Sequence, residues 1–103
     1  FDEIDVGISG RAAQAVAEKM ALISRKHQVI SITHLPQIAA MADSHYLIEK
    51  SADEGKTVTK IVRLSEAESI TEIARLLGGA SITDAVMSNA LEMKQMAEKT
   101  KKY

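Results

Sequence analysis

The sequence predicts an α/β fold: a parallel strand–helix–strand unit, a hairpin at the sheet edge, and two helices at the carboxyl end. Three observations carry this. A stripe of apolar residues at helical spacing follows a glycine-containing loop, a β-branched run follows that stripe, and two later apolar stripes each begin at a hydroxyl residue suited to capping a helix.

The opening FDEID ends a short strand before the glycines of VGISG. Adjacent side chains on a strand point to opposite faces, so Asp2 and Glu3 serve one site together only if the strand stops there and both carboxylates emerge at its carboxyl edge. That edge is where ligands bind in open α/β sheets. Residues 11 to about 26 then carry Ala13, Val16, Ala17, Met20 and Ile23 at the spacing of a core-facing helix. Val29, Ile30 and Ile32 form a run of the type that a sheet buries on both faces, ending at Thr33-His34-Leu35-Pro36. Strand, helix and strand in this order imply a right-handed crossover between parallel strands. A short helix over 36–42 follows, with Pro36 in its first turn.

HYLIEK and KTVTKIVRL flank the polar loop SADEG and read as an antiparallel hairpin. Ser65 with Glu68 makes a capping box. Ile70, Ile73, Ala74 and Leu77 continue that helix until Gly78 and Gly79 end it. Ser81 with Asp84 repeats the capping pattern ahead of a last helix carrying Val86, Ala90, Met93 and Ala97.

Composition narrows the function classes. The 103 residues, 46% of them hydrophobic, suffice for about one small domain. Lys and Arg number 13 against 14 Asp and Glu, so the net charge of −1 supplies no bulk attraction to nucleic acid or an anionic membrane. Without cysteine there is neither a disulfide nor a thiolate metal site. No apolar run approaches the ~20 residues of a membrane span, and no secretory signal opens the chain, so a cytoplasmic location is the expectation.

Two glycine motifs are decoys. Gly55-Lys56-Thr57 matches the end of a phosphate-binding loop, but Lys50 stands where its first glycine belongs and the context is a hairpin. Leu77-Gly78-Gly79 follows a helix instead of opening one, so it reads as a helix stop. Among the histidines, His27 reads as a contact to a helix carboxyl end and His45 as a strand surface residue. Lys94, Lys99, Lys101 and Lys102 are open to DNA contact, although a cationic last turn equally complements the helix dipole.

FDEID, a glycine-containing loop, a helix and a strand ending in ITH together resemble the second half of an ATP-binding-cassette (ABC) ATPase head. More specifically, DEIDVGISGRAAQAVAEK, SRKHQVISITHLPQIAAMAD and ARLLGG resemble the carboxyl-terminal part of the RecN family, bacterial SMC-like proteins of DNA double-strand-break repair and recombination. The resemblance runs from Phe1 to about Ala97.

The resemblance implies roles. Asp2 is the Walker B acid holding Mg2+, a cation that prefers oxygen ligands. Glu3 orients or deprotonates the water attacking the γ-phosphate of ATP. His34 contacts that phosphate and ties hydrolysis to head closure. The loop from Asp5 to Gly10 resembles the D-loop that meets a second head across the nucleotide, with Ser9 where its terminal Asp usually stands, so Ser9 and Gly10 are the nucleotide-side pair. Implied partners are the amino-terminal half of the same head, the second head of a homodimer and DNA, with no membrane; the implied location is at the bacterial nucleoid.

The sequence contains no Walker A motif, Q-loop, ABC signature or heptad coiled coil. Residues 1–103 are therefore expected to be a single partial domain, starting inside the Walker B strand, inactive alone and holding no nucleotide tightly. Two alternatives stand beside this reading. One is an autonomous, non-catalytic interaction module. The other is a small metallohydrolase using Asp2, Glu3, His34 and Asp43, which lacks a metal-spacing motif such as H-E-x-x-H.

Overall fold

A computed structural model describes residues 10–79 and 81–101. In chain order it has α1 (Gly10–Ile23), α2 (Pro36–Met41), β1 (Tyr46–Asp53), β2 (Lys56–Arg63), α3 (Glu66–Gly78) and α4 (Asp84–Lys101). Among the described residues the sheet is two-stranded and antiparallel. The opening strand, with Asp2 and Glu3, lies outside the described residues, as does the loop up to Ser9.

The six-residue α2 is the centre of the packing. Pro36 at its start supplies a preset φ, and all its residues except Gln37 are buried. Ile38 and Met41 pack with Ala17, Met20 and Ala21 of α1 and with Ala97 of α4. Ala39 and Ala40 face the other way, among Ile73, Ala74 and Ala90 of α3 and α4. Small side chains on α2 let three helices approach one short element, so two apolar clusters meet at a single turn and a half of helix.

The α3 expectation holds in detail. Ser65 Oγ accepts from the Glu68 N–H at 3.2 Å while Glu68 Oε1 accepts from the Ser65 N–H at 2.9 Å. Those two hydrogen bonds hold the Glu68 carboxyl below its ordinary range. At the other end Gly79, with φ 66°, donates its N–H to the Arg75 carbonyl at 2.8 Å. The α4 start lies two residues later than expected: Thr83, not Ser81, caps it, its Oγ1 accepting from the Val86 N–H at 3.2 Å. Residue 86 is valine, so no side chain returns the bond and the cap is one-sided.

Three further expectations are corrected. α1 stops at Ile23 rather than near residue 26, because the Ser24 hydroxyl donates to the Ala21 carbonyl at 2.7 Å and the chain tightens into i→i+3 bonds from Arg25 and Lys26. Ala21 is buried on this helix, while Ile23 is exposed. The hairpin turn is Glu54-Gly55, not the five-residue SADEG loop. Both residues have positive φ, 50° and 78°, which matches the twist of a two-residue connection and lets Ser51, Ala52 and Asp53 join the ladder.

The run from Val29 to Ile32 was expected to be a strand buried on both faces. It carries a single β-bridge, at Ile32, and exposure alternates along it. Val29 packs on the α1 side of the core, whereas Ile30 is 70% and Ile32 43% exposed. The backbone is extended as the residue types favour, with one face covered rather than two.

Candidate functional site

Of the sequence-derived set, Gly10 and His34 fall within the described residues; Asp2, Glu3 and Ser9 lie outside them. His34 is exposed, two residues ahead of α2. The loop presenting it is fixed locally. Thr33 Oγ1 accepts from the Leu35 N–H at 3.0 Å, and the Leu35 carbonyl accepts from Ala39 at 3.1 Å, leading directly into the helix.

Gly10 opens α1 and lies against the same short helix. A Cβ on it would stand 3.1 Å from Gln37 Nε2, closer than ordinary van der Waals contact. The start of α1 and the loop of His34 thus flank the first turn of α2, with Gln37 between them. Gln37 Oε1 is buried without a hydrogen-bond partner, and so is Ser31 Oγ just upstream of His34. Buried polar atoms in folded proteins nearly always have partners, so two orphans on this side of α2 mark it out.

A second polar group lies where His45, just ahead of β1, meets α3 and α4. His45, read from sequence as a strand surface residue, precedes β1 and is half-buried, its Nδ1 2.7 Å from Ser69 Oγ. Burial first, and then the Lys94 ammonium, lower the affinity of this ring for a proton, with Glu72 acting in the opposite sense. Lys94 itself is 5% exposed, and its Nζ lies 3.8 Å from Glu66 Oε2. Glu72 is engaged with Arg75, whose Nε donates to both carboxylate oxygens at 2.9 and 3.0 Å.

The carboxyl-terminal lysines are mostly spoken for. Lys94 is inside the fold, and Lys101 bonds Asp43 at 3.0 Å and Glu98 at 3.2 Å. Burial opposes the charge on Lys101, yet those carboxylates hold its ammonium above the usual lysine range. Lys99 remains exposed, and Lys102 lies outside the described residues. Asp43 is accordingly committed to Lys101, and no group of three or more His, Cys, Asp or Glu among the described residues is placed to hold a metal. A depression along the outer face of α4, lined by Leu91, Gln95 and Met96 among others, contains none of the sequence-derived residues. The decoys resolve structurally: Gly55 turns the hairpin, Lys56 and Thr57 sit in β2, and Gly79 ends α3.

No family model matches the chain. Curated proteins do. It is 46% identical over 98% of its length to the DNA repair protein RecN of Bacillus subtilis. It is 45% identical over 90% of its length to that of Haemophilus influenzae and 44% over 90% to that of Deinococcus radiodurans. The chain belongs to the RecN family. It spans about 18% of the length of the Bacillus subtilis RecN, consistent with the carboxyl-terminal part to which its motifs pointed. The ITHLPQ segment of this RecN-family chain is therefore the loop and first turn on which Gly10 converges. Gln37 was missed in the sequence because a glutamine has no titrating group, and only the close approach to Gly10 singles it out.

Proposed function

We propose that this chain is the Walker B to carboxyl-terminal portion of an ABC-type ATPase head, and that the intact protein uses ATP to engage two such heads during DNA repair. The convergence of Gly10 and the His34 loop on one short helix carries the reading. The function would use both of these segments at a single nucleotide.

In this reading Glu3 accepts the proton, or aligns the lone pair, of the water that attacks the γ-phosphate. His34 donates to that phosphate from the end of its loop, which an imidazole N–H can do and an apolar residue cannot. Asp2 is the carboxylate that would hold Mg2+, whose positive charge would offset the negative charge developing on the phosphate. Ser9 and Gly10 face the second head. The amino-terminal half of the same head supplies the phosphate-binding loop, and DNA is engaged by the intact protein. Lys94 is buried and Lys101 is paired with Asp43 and Glu98, so this reading assigns neither of them to DNA.

The test is ATP binding and single-turnover hydrolysis in the full-length RecN protein carrying this segment. Glu3→Gln keeps shape and one acceptor but loses the base, so binding should persist while turnover falls roughly 10²- to 10⁴-fold. Asp2→Asn weakens the magnesium ligand, so affinity and rate should fall together. Near wild-type hydrolysis by Glu3→Gln would remove Glu3 from the water-activating role.

A further inference from the structure

We propose that Gln37 is a positioning residue that locks the start of α1 to the loop bearing His34, so that both sides of the nucleotide site move as one unit. This rests on the ATPase reading above and adds a residue to it.

Three observations converge on this side chain. Its Nε2 occupies the space a Cβ at Gly10 would need, 3.1 Å away. Gly10 is not among the positive-φ glycines, so close approach and not backbone conformation accounts for the missing side chain there. Its Oε1 is buried with no partner. An orphaned buried acceptor costs stability, and an apolar side chain of similar size would avoid that cost, so packing alone does not explain an amide here.

The third observation is stiffness. Pro36 has a fixed φ, Leu35 is tied to Thr33 and to Ala39, and Ile38, Ala39, Ala40 and Met41 are all buried. Only Leu35 and Pro36, both constrained, therefore separate Gln37 from His34. A displacement of Gly10 presses on the amide and is passed to His34, not absorbed between them.

The experiment uses the full-length RecN protein with Gln37→Leu, Gly10→Ala and the double variant, alongside Glu3→Gln. Gln37→Leu should lower kcat about tenfold to a hundredfold, the scale of a misplaced catalytic group, with ATP affinity near wild type and no fall in melting temperature. Gly10→Ala should produce a similar loss by displacing the amide. The double variant should lose no more than either single change, in kcat and in melting temperature, because both act on one contact. A kcat within twofold of wild type for Gln37→Leu, losses that multiply in the double variant, or a drop in melting temperature that parallels the lost activity would each overturn the proposal. If Glu3→Gln abolishes turnover while the kcat of Gln37→Leu stays within twofold of wild type, only the role of Gln37 falls. If Glu3→Gln hydrolyses ATP like wild type, the reading of the site fails and the role of Gln37 falls with it.

Discussion

The two sides of α2 are built differently. Toward α3 and α4, Ile73, Ala74 and Ala90 are fully buried, both ends of α3 are capped, and the buried Ser69 hydroxyl has His45 as its partner. Toward α1, Gln37 Oε1 and Ser31 Oγ are buried without partners, and Leu22, Ile23 and Ile32 are exposed. Neither side is free of broken rules, since Lys94 is buried and α4 exposes Leu91 and Met96, but both orphaned polar atoms fall on the side of Gly10 and the His34 loop. Proteins relax such rules at functional sites, so the contrast is in keeping with the site proposed beside the first turn of α2.

The sharpest way to break this division is to remove a core side chain on the α3–α4 side and an exposed one on the other. Ile73 is the largest fully buried side chain among the described residues, and Ile73→Ala should cost about 2–5 kcal/mol through lost burial and the cavity left behind. Ile32→Ala removes a residue that is 43% exposed and should cost under about 1 kcal/mol. Urea unfolding of both variants measures the difference. Equal losses would mean that stability is shared evenly across α2.

Next in size is Gly79→Ala. Nothing lies within 4 Å of a Cβ there, so any cost comes from the backbone alone, at φ 66° and ψ −127°. That conformation is strained for a residue with a Cβ, and about 1–3 kcal/mol should be lost. Gly10→Ala probes the other side through contact with Gln37 instead of conformation, so its effect should vanish when Gln37 is shortened and that of Gly79→Ala should not. Smaller again is the cap. Ser65→Ala removes one half of a reciprocal box and should cost about 1 kcal/mol, within a range of about 0.5–2, whereas Thr83→Ala breaks a one-sided cap and should fall at the lower end of that range.

How much of this was readable beforehand follows the same division. The α3 box, its glycine stop and the stripe through Ile73 were legible because each is a short-range rule written in neighbouring residues. The hairpin was legible as a hairpin, but Glu54 at positive φ is uncommon for a non-glycine residue, so the turn was drawn too long. Sequence periodicity cannot say how many faces of Val29–Ile32 are covered, since that depends on what packs there. His45 and Lys94 look like surface residues by type; only tertiary placement buries them together, across elements 49 positions apart in the chain. The candidate site divides likewise. His34 and Gly10 were visible as motif positions, while Gln37 emerges only from a distance.

The smallest effect concerns pH and tests whether the α3–α4 side is as settled as its hydrogen bonds suggest. Burial first and Lys94 second depress the proton affinity of His45 below the ordinary value of 6.5, with Glu72 opposing them. The unfolded chain therefore binds the proton more readily than the folded one, and stability rises with pH across that interval. The contribution of His45 is complete above about pH 6.5 and is lost as pH falls toward and through the depressed value of the folded state. Protonation would set a second cation beside the buried Lys94, whose partner Glu66 is 3.8 Å away and largely in solvent. It would also oblige Nδ1 to donate to Ser69, where the neutral ring can accept. Melting temperatures of wild type and His45→Gln between pH 8 and pH 5 give the comparison. The wild type should lose stability relative to the variant as the pH drops below about 6.5, with the two curves parallel above it. Parallel curves throughout would mean that this ring takes up a proton as easily inside the fold as outside, and that the polar cluster of His45, α3 and α4 tolerates charge as readily as the open side of α2.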